Sequence, residues 1–386
     1  MEKIVPLHTL VLVAGSDPEG WFGIFPPHEV VAPAAVQHDL VGPGDRPDLS
    51  GIVAAEVRRR VALKLSLGER VVVDAHDLSR DARLGLCHLA RAQGSPVIYL
   101  LGKTVPDANL LHGDGLAVVV RAGEAVRPVL PMPDDPLTAL RARYRGVTVV
   151  GDIHGDRAAL RNVVAWAQSR GHYLWLLGDV LDYGPDSLAV AEDTYDLVMT
   201  GRAALTLGNH ERKIARWIAT QESGGTPMRL SEGNRVTVEA LRALSAAERG
   251  RWIGRFRSLI GRSCLIGQCG SMIFVHAAVH PHFWGGVQNP DDRAIEHYAL
   301  YGETDPNTPP PGYRRSYGWV EHVPAGQTVF VGHDVRSNVA PLTVVGRAGG
   351  RTVFLDTGCG KGGRLSTADL RFGADGQLRL ENFNIH

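Results

Sequence analysis

Cysteine is scarce in this chain, and its few copies are scattered. Cys87, Cys264, Cys269 and Cys359 are the only four among 386 residues, and only Cys264 and Cys269 stand near each other. That spacing lacks a second ligand pair, which argues against a zinc site, and reduced thiols in a cytoplasm are the simplest expectation. Net charge is missing too. Lys+Arg and Asp+Glu both number 41, so no global basic field draws the chain to nucleic acid and any such binding must be local. No apolar stretch approaches the roughly 20 residues that a membrane span needs. Glu2 and Lys3 precede only a short apolar run, Leu10–Ala14, with no small-residue cleavage pattern after it, so no secretory signal is expected. These absences leave a soluble, cytoplasmic protein. Its 44% hydrophobic and 21% charged content and its 386 residues predict two or three ordinary globular domains.

What the chain does have is a concentration of polar residues across 147–210. Three strings carry it: Gly151-Asp152-Ile153-His154-Gly155, Gly178-Asp179-Val180-Leu181-Asp182-Tyr183-Gly184 and Gly208-Asn209-His210-Glu211. Each follows a short apolar run, at 147–150, 173–177 and 204–207. Runs of this length bounded by Gly predict buried strands of a sheet covered on both faces. Asp, His and Asn therefore gather at strand ends, where open α/β sheets bind ligands. Asp152 and His154 are alternate residues on an extended chain and can grip one ion. Asp179 can bridge two ions, and Asn209 offers a neutral oxygen. Mixed carboxylate, amide and imidazole donors suit Mn, Fe or Zn. Two divalent ions about 3.5–4 Å apart can clamp a phosphate and share a hydroxide nucleophile. Two later runs, Met272–Val275 and 328–332, lead into His276 and His333. One such string by itself is a turn with a capping Asp; five strand ends that all deliver metal-type ligands need another explanation.

Residues 147–370 resemble the calcineurin-like metallophosphoesterases, in the branch that includes the phosphoprotein phosphatases. They are most similar to the phosphatase module of bacterial polynucleotide kinase–phosphatases. The likeness rests on Gly208-Asn209-His210-Glu211 with Arg212-Lys213-Ile214-Ala215-Arg216, and on Ala299-Leu300-Tyr301-Gly302-Glu303-Thr304. It rests also on Leu355-Asp356-Thr357-Gly358-Cys359-Gly360-Lys361-Gly362-Gly363-Arg364-Leu365. The resemblance implies an α/β domain built on a β-sandwich flanked by helices, over residues 131–386. It implies two divalent ions, manganese first, with iron, zinc or nickel as alternatives, and phosphate-ester hydrolysis by direct attack of a bridging hydroxide. By the family's pattern Asp152, His154 and Asp179 hold the first ion, and Asp179, Asn209, His276 and His333 the second. Val335 departs from relatives whose Gly-His-x-His string adds a further ligand. His210 is then placed to protonate the leaving oxygen, and Asp182 to orient its ring. The family has Arg where Tyr183 stands. Tyr carries no charge and forms no bidentate fork, so phosphate binding is expected to involve Arg314, Arg315 or Arg336, or the metals alone, beside Tyr183.

Residues 1–130 predict a small parallel sheet. Strands at Leu10–Ala14, 69–73 and 96–101 alternate with helices at 50–67 and 82–93, and Val53, Val57, Val61 and Leu65 mark the buried stripe of the first helix. The loop Gly15-Ser16-Asp17-Pro18-Glu19-Gly20-Trp21-Phe22 spaces two glycines like a phosphate-cradling loop. Trp21 stands where a Lys would reach phosphates, however, and Phe22 where a hydroxyl would hold Mg²⁺; Asp17 and Glu19 add negative charge. The string 67–75, followed by Arg83, resembles the kinase module of the same proteins, yet Val31-Ala32-Pro33 carries no acidic base. The resemblance implies a degenerate P-loop kinase-like domain with no ATP expected. Four prolines in 127–136 predict a stiff linker. Downstream, helices are expected at 137–144, 158–169, 185–200, 210–220 and 231–260. The last carries Arg235, Arg242, Arg249, Arg251, Arg255 and Arg257 and reads as a solvated face. The loop 304–318 is long enough to be functional.

The resemblance implies phosphorylated nucleic-acid ends or nucleotides as substrates, such as a 2′,3′-cyclic or terminal phosphate on RNA. A protein Ser/Thr phosphatase or a diadenosine tetraphosphatase is an alternative. A small-metabolite phosphatase gains weight from Tyr183 and the zero net charge. A non-catalytic scaffold belongs to a different class, and it would gain nothing by keeping polar ligands desolvated.

Overall fold

Short apolar runs, too brief for helices, recur along both halves of the chain and become strands. The computed structural model describes residues 3–15, 19–42, 49–102, 118–121, 124–129, 136–226, 229–284, 292–305 and 314–386. Two compact units form. One comprises Met1–Pro131, Met199–Gly201 and Leu244–Arg262, and the other Met132–Val198, Arg202–Ala243 and Ser263–His386.

The first unit contains β1 (Lys3–Val5), β2 (Leu10–Ala14), α1 (Glu19–Phe22), β3 (Val30–Val31), α2 (Pro33–Val41), α3 (Ser50–Ser66), β4 (Val71–Asp74), α4 (Arg80–Ala92), β5 (Val97–Leu101), β6 (Val118–Arg121) and β7 (Val126–Pro128). Five strands pair in parallel in the order β3-β4-β2-β5-β6. Leu10, Leu12, Val71 and Val73 pack on one face with Val53, Val57, Val61 and Leu65 of α3. Val11, Val13, Val72 and Leu100 pack on the other. Burial on both faces explains why these strands read as unbroken apolar runs. Trp21 and Phe22 pack against that second cluster. The fully buried Arg70 is satisfied by both Glu29 oxygens at 2.8 and 3.0 Å and by the carbonyls of Val5 (2.9 Å) and Val129 (3.0 Å). The stretch read as a linker from residue 127 begins inside a sheet, because β7 pairs in parallel with β1. Residues 130–135 of that stretch, and 16–18 of the loop after β2, lie outside the described residues.

The second unit contains α5 (Pro136–Arg141), β8 (Gly146–Val150), α6 (Arg157–Arg170), β9 (His172–Leu176), α7 (Ser187–Met199), β10 (Ala203–Leu205), α8 (Asn209–Ser223), α9 (Glu232–Ala243), β11 (Ile266–Cys269) and β12 (Met272–Val275). It continues with β13 (Glu303–Thr304), β14 (Arg315–Ser316), β15 (Thr328–Val331), β16 (Leu342–Val345), β17 (Arg351–Phe354), β18 (Ser366–Phe372) and β19 (Leu378–Ile385). Two five-stranded sheets result, β10-β9-β8-β18-β19 and β11-β12-β15-β17-β16. Val147, Val149 and Trp175 of one sheet and Phe274, Phe330 and Val353 of the other share a core. Trp175 stacks on Phe274 at 4.2 Å between centroids. Aromatic packing of this kind fixes one sheet against the other. In each sheet three adjacent strands run parallel: β8, β9 and β10 in the first, β12, β15 and β17 in the second. Of the long loop at 304–318, residues 306–313 lie outside the described residues.

The helix expected over 231–260 is two helices, α9 and α10 (Ala246–Arg262). The break has a local cause. Ser245 accepts from the Glu248 N–H (3.3 Å) while the Glu248 carboxylate accepts from the Ser245 N–H (3.0 Å), a capping box that starts a new helix. The second helix belongs to the first unit, where Ser258 and Ser95 hydroxyls both meet Nε2 of the buried His8, at 2.7 and 2.6 Å. It is therefore not simply a solvated face. All four cysteines are free thiols. Among the described residues no helix is long and apolar enough to cross a membrane.

Candidate metal centre

Six strand ends bring side chains together, three from each sheet. Asp152 and His154 follow β8, Asp179 follows β9, and Asn209 and His210 follow β10; His276 follows β12, His333 follows β15 and Asp356 follows β17. Parallel strands with a common end deliver their loops to one place, so residues as far apart in sequence as Asp152 and Asp356 converge. Two groups have the spacing of metal sites: His154, Asp179 and His210, and Asp179, His276 and His333, with Asp179 common to both.

The donor atoms face inward. His154 turns Nδ1 to the Leu181 carbonyl at 2.9 Å, leaving Nε2 buried with no hydrogen-bond partner, 3.7 Å from Asp152 and 3.8 Å from Asp179. Burial pushes this imidazole down to about 4, so the free nitrogen presents a lone pair. His276 likewise turns Nδ1 to the Leu177 carbonyl (2.7 Å). Its Nε2 then lies 2.9 Å from the Asn209 amide oxygen, 3.1 Å from His333 Nδ1 and 3.4 Å from Asp179 Oδ2. Burial opposes protonation of His276, but Asp179 and Asp152 overcome it and push the ring up to about 10. The free His154 lone pair and carboxylate oxygens aimed at common points, with a second imidazole held charged only by the carboxylates around it, are the chemistry that divalent cations satisfy. The residues present fit two ions, through Asp152, His154, Asp179, Asn209, His276 and His333.

Backbone geometry is unusual at the same places. His154, Asp179, Asp182, Tyr183 and His333 all have positive φ, at 46°, 49°, 75°, 62° and 64°. Such conformations cost about 1–3 kcal/mol each and persist where surrounding structure over-determines them. Gly332 shows how tight the fit is, since a Cβ there would lie 2.1 Å from Asp152 Oδ1. The Asp179 turn is held by Glu211, whose buried carboxylate accepts from the N–H groups of Asp179 (2.8 Å), Val180 (2.8 Å), Leu181 (3.3 Å) and Gly208 (3.1 Å). An unsatisfied buried donor costs roughly 1–3 kcal/mol. Glu211→Ala orphans several donors at once and should therefore lower unfolding stability by at least about 3 kcal/mol. Urea denaturation checks this, and a loss under about 1 kcal/mol refutes the role.

His210 lies at the edge of the cluster. Its N–H donates to Asp179 Oδ1 (3.0 Å), its Nδ1 meets Asp182 Oδ2 at 2.5 Å, and its Nε2 lies 3.8 Å from Asp179 Oδ2. Burial disfavours the charged ring, but Asp179 and Asp182 prevail and raise its pKa. Asp182 is itself fixed from α9: Asn234 Nδ2 donates to Oδ2 and the Thr237 hydroxyl to Oδ1.

The expected phosphate-binding side chains are dispersed. Tyr183 is part-exposed at the rim, edge-on to His154 at 4.8 Å. Arg314 lines a surface hollow with Tyr298, Glu303 and Asp305. Arg315 is paired with Asp334, although its charge is felt at His333. Arg336 stacks on Tyr317 at 4.0 Å and Phe354 at 5.3 Å. Sequence reasoning missed Asp356, whose Oδ2 is buried without a partner and whose charge, after burial itself, pushes Asp152 upward. Its signal was there, because it ends an apolar run like the others. Glu211, Asn234 and Thr237 carried no such signal.

Taken with the family match and the relatives that follow, this convergence of parallel strand ends on a clustered donor set indicates a metal-dependent phosphoester hydrolase. Residues 146–337 match the calcineurin-like phosphoesterases and form a metallophosphoesterase domain, of a family that uses a dinuclear divalent metal centre. Among curated relatives, a bis(5'-nucleosyl)-tetraphosphatase PrpE (asymmetrical) of a Geobacillus strain is 27% identical over 232 residues, covering 57% of this chain and 88% of its own. The protein of that name from Halalkalibacterium halodurans is 28% identical over 236 residues, 58% of this chain and 89% of its own. A solved metallophosphoesterase from Sphaerobacter thermophilus aligns over 62% of this chain and 87% of its own at 19% identity, with a TM-score of 0.32.

Proposed function

We propose that this chain hydrolyses phosphate esters of nucleotides or nucleic-acid ends, with Asp152, His154 and Asp179 holding one divalent ion and Asp179, Asn209, His276 and His333 the other. The unpartnered Nε2 of buried His154, facing Asp152 and Asp179, carries this reading. When bound, the ions supply Lewis-acid polarisation of phosphoryl oxygens and lower the pKa of a water. The chain's own part is proton transfer and positioning. Asp182 accepts a hydrogen bond from Nδ1–H of His210 and stabilises the imidazolium, leaving Nε2–H to protonate the departing oxygen. Asn234 and Thr237 keep Asp182 in place. Asp356 adds a further carboxylate on the Asp152 side of the site. Manganese is the first candidate ion, with iron, zinc or nickel as alternatives.

A second reading is favoured by the relatives' names: hydrolysis of bis(5'-nucleosyl) tetraphosphates, on the same site and with the same residue roles. Residues 1–130 we read as a degenerate kinase-like domain that takes no ATP, and 131–386 as the catalytic part, although Leu244–Arg262 packs with the first unit. The parallel sheet with β2 at its centre supports this, as do Trp21 and Phe22, which pack against its core where a Lys and a hydroxyl residue would serve phosphates. A cytoplasmic location is part of the proposal, in keeping with the free thiols.

A panel of RNA ends, nucleotides, dinucleoside tetraphosphates, phosphopeptides and sugar phosphates, assayed with Mn²⁺, tests the reading. Turnover abolished by chelator is expected on the nucleotide-containing members. Turnover indifferent to chelator sinks it. In the same panel ATP and a 5′-hydroxyl oligonucleotide should give no phosphorylated end; a labelled end that survives Asp179→Asn overturns the degenerate-kinase assignment.

A further inference from the structure

The loop after β17 carries a cation that nothing above uses. Within it the Lys361 and Gly363 N–H groups both donate to the Gly358 carbonyl, at 3.0 and 2.9 Å. Gly360 sits so close to His154 that a Cβ would lie 2.3 Å from the His154 carbonyl oxygen and 2.5 Å from its Cβ. The loop is thus seated on the backbone of a ligand residue, and its place relative to the centre is fixed. From it the exposed Lys361 extends its ammonium over the Tyr183 ring, 4.5 Å from the centroid. Gly233 packs closely against the Tyr183 ring, where a Cβ would lie 2.8 Å from it. The ring lies edge-on to His154 at 4.8 Å and tilted against His210 at 5.4 Å. Among the described residues no ion pair holds Lys361. Its charge nevertheless reaches the centre, at His154 and Asp356.

We propose that Lys361, steadied on Tyr183, seats a phosphate carried by the leaving group and so favours phosphoric anhydrides of nucleosides over simple phosphate monoesters. This rests on the phosphoesterase reading above, which places the departing oxygen at His210. Lys361 sits on the Tyr183 ring, which neighbours His210 at 5.4 Å between centroids, while the charge of Arg315 is felt at His333. A monoester expels an alkoxide, whose charge a proton alone can cancel. An anhydride expels a phosphate, which keeps negative charge after the reacting oxygen is protonated and gains from a fixed cation. The balance is that of hydrolysis. Water oxygen bonds to one phosphorus, the P–O bond to the neighbouring phosphate breaks, and its electron pair stays on the departing oxygen. The two water protons end on the product phosphates or in solvent. Tyr183, which is uncharged, supplies a cation–π platform that keeps the ammonium aimed at the centre.

The test uses full-length protein loaded with Mn²⁺ and the variants Lys361→Met and Lys361→Arg. With a dinucleoside tetraphosphate, Lys361→Met should lose roughly 10–100-fold in kcat/KM, the range for a lost hydrogen bond to a charged group. With a nucleoside monophosphate it should lose less than about threefold, and Lys361→Arg, which keeps the charge, the cation–π contact and a phosphate donor, should recover most of the anhydride activity. Calorimetric binding of methylenediphosphonate, which is not hydrolysed, should weaken about tenfold or more in Lys361→Met with metal content unchanged. Equal losses on both substrates, or unchanged diphosphonate affinity, overturn the proposal. A wild type inactive on every phosphate compound would sink the functional reading instead, and the calorimetric comparison would still decide the role of Lys361.

Discussion

Asp179→Asn should lose more activity than any other single change at the centre, and should lose metal with it. Asp179 is the one residue common to both ligand groups. Its Oδ1 already accepts the His210 N–H at 3.0 Å, while Oδ2 lies 3.4 Å from His276 Nε2 and 3.8 Å from both His154 Nε2 and His210 Nε2. Burial works against its charge, yet the surrounding histidines hold the carboxyl well below its ordinary range. Asparagine keeps the shape and removes the charge, and either its NH₂ faces the ligand nitrogens or only a neutral oxygen remains. Residues that merely support a ligand cost about 10–100-fold when changed, so the shared ligand should exceed that. Elemental analysis should fall from two divalent ions per chain in the wild type to fewer in the variant. Two ions retained, with activity within about tenfold of wild type, would show that Asp179 bridges nothing.

The second large effect is expected at His210 and depends on the leaving group. Alkyl phosphates expel an alkoxide that needs a proton in the transition state, whereas an aryl ester with an electron-withdrawing ring expels a stable anion. General acid catalysis contributes about 10²–10⁴-fold. His210→Ala should therefore lose about that much on alkyl esters, far less on activated aryl esters, and keep both metals. Asp182→Asn should show the same selectivity more mildly, because it orients and charges the ring; Asn234 and Thr237 would still hold the residue in place. The comparison needs rates on a series of esters graded by leaving-group basicity, together with metal content. Equal losses across the series, or loss of a metal, would make His210 a ligand or a phosphate-binding group.

Much of this centre is legible along the chain because its signal is local. An apolar run, a glycine and a polar residue mark a buried strand and the loop that leaves it, and that pattern identifies Asp152, His154, Asp179, Asn209, His276 and His333 without coordinates. Asp356 obeys the same pattern after β17 and could have been found by it. The stripe Val53, Val57, Val61 and Leu65 is local too, and all four residues are buried. The capping box at Ser245 and Glu248, also written in the sequence, divides a helix that periodicity alone joins.

The sequence by itself determined which residues lie at strand ends, since strand and loop follow from apolarity and turn chemistry over a few positions. Only the tertiary structure decided how those ends are completed from elsewhere. Asn234 and Thr237 meet Asp182 from a helix 52 and 55 residues away. Arg336, expected at phosphate, lies instead on Tyr317 and Phe354. Lys361 reaches Tyr183 across nearly half the chain. Contacts of this kind are set by how two sheets pack and where their loops emerge. A side chain's charge or hydrogen-bonding capacity gives no hint of the partner that packing will place beside it.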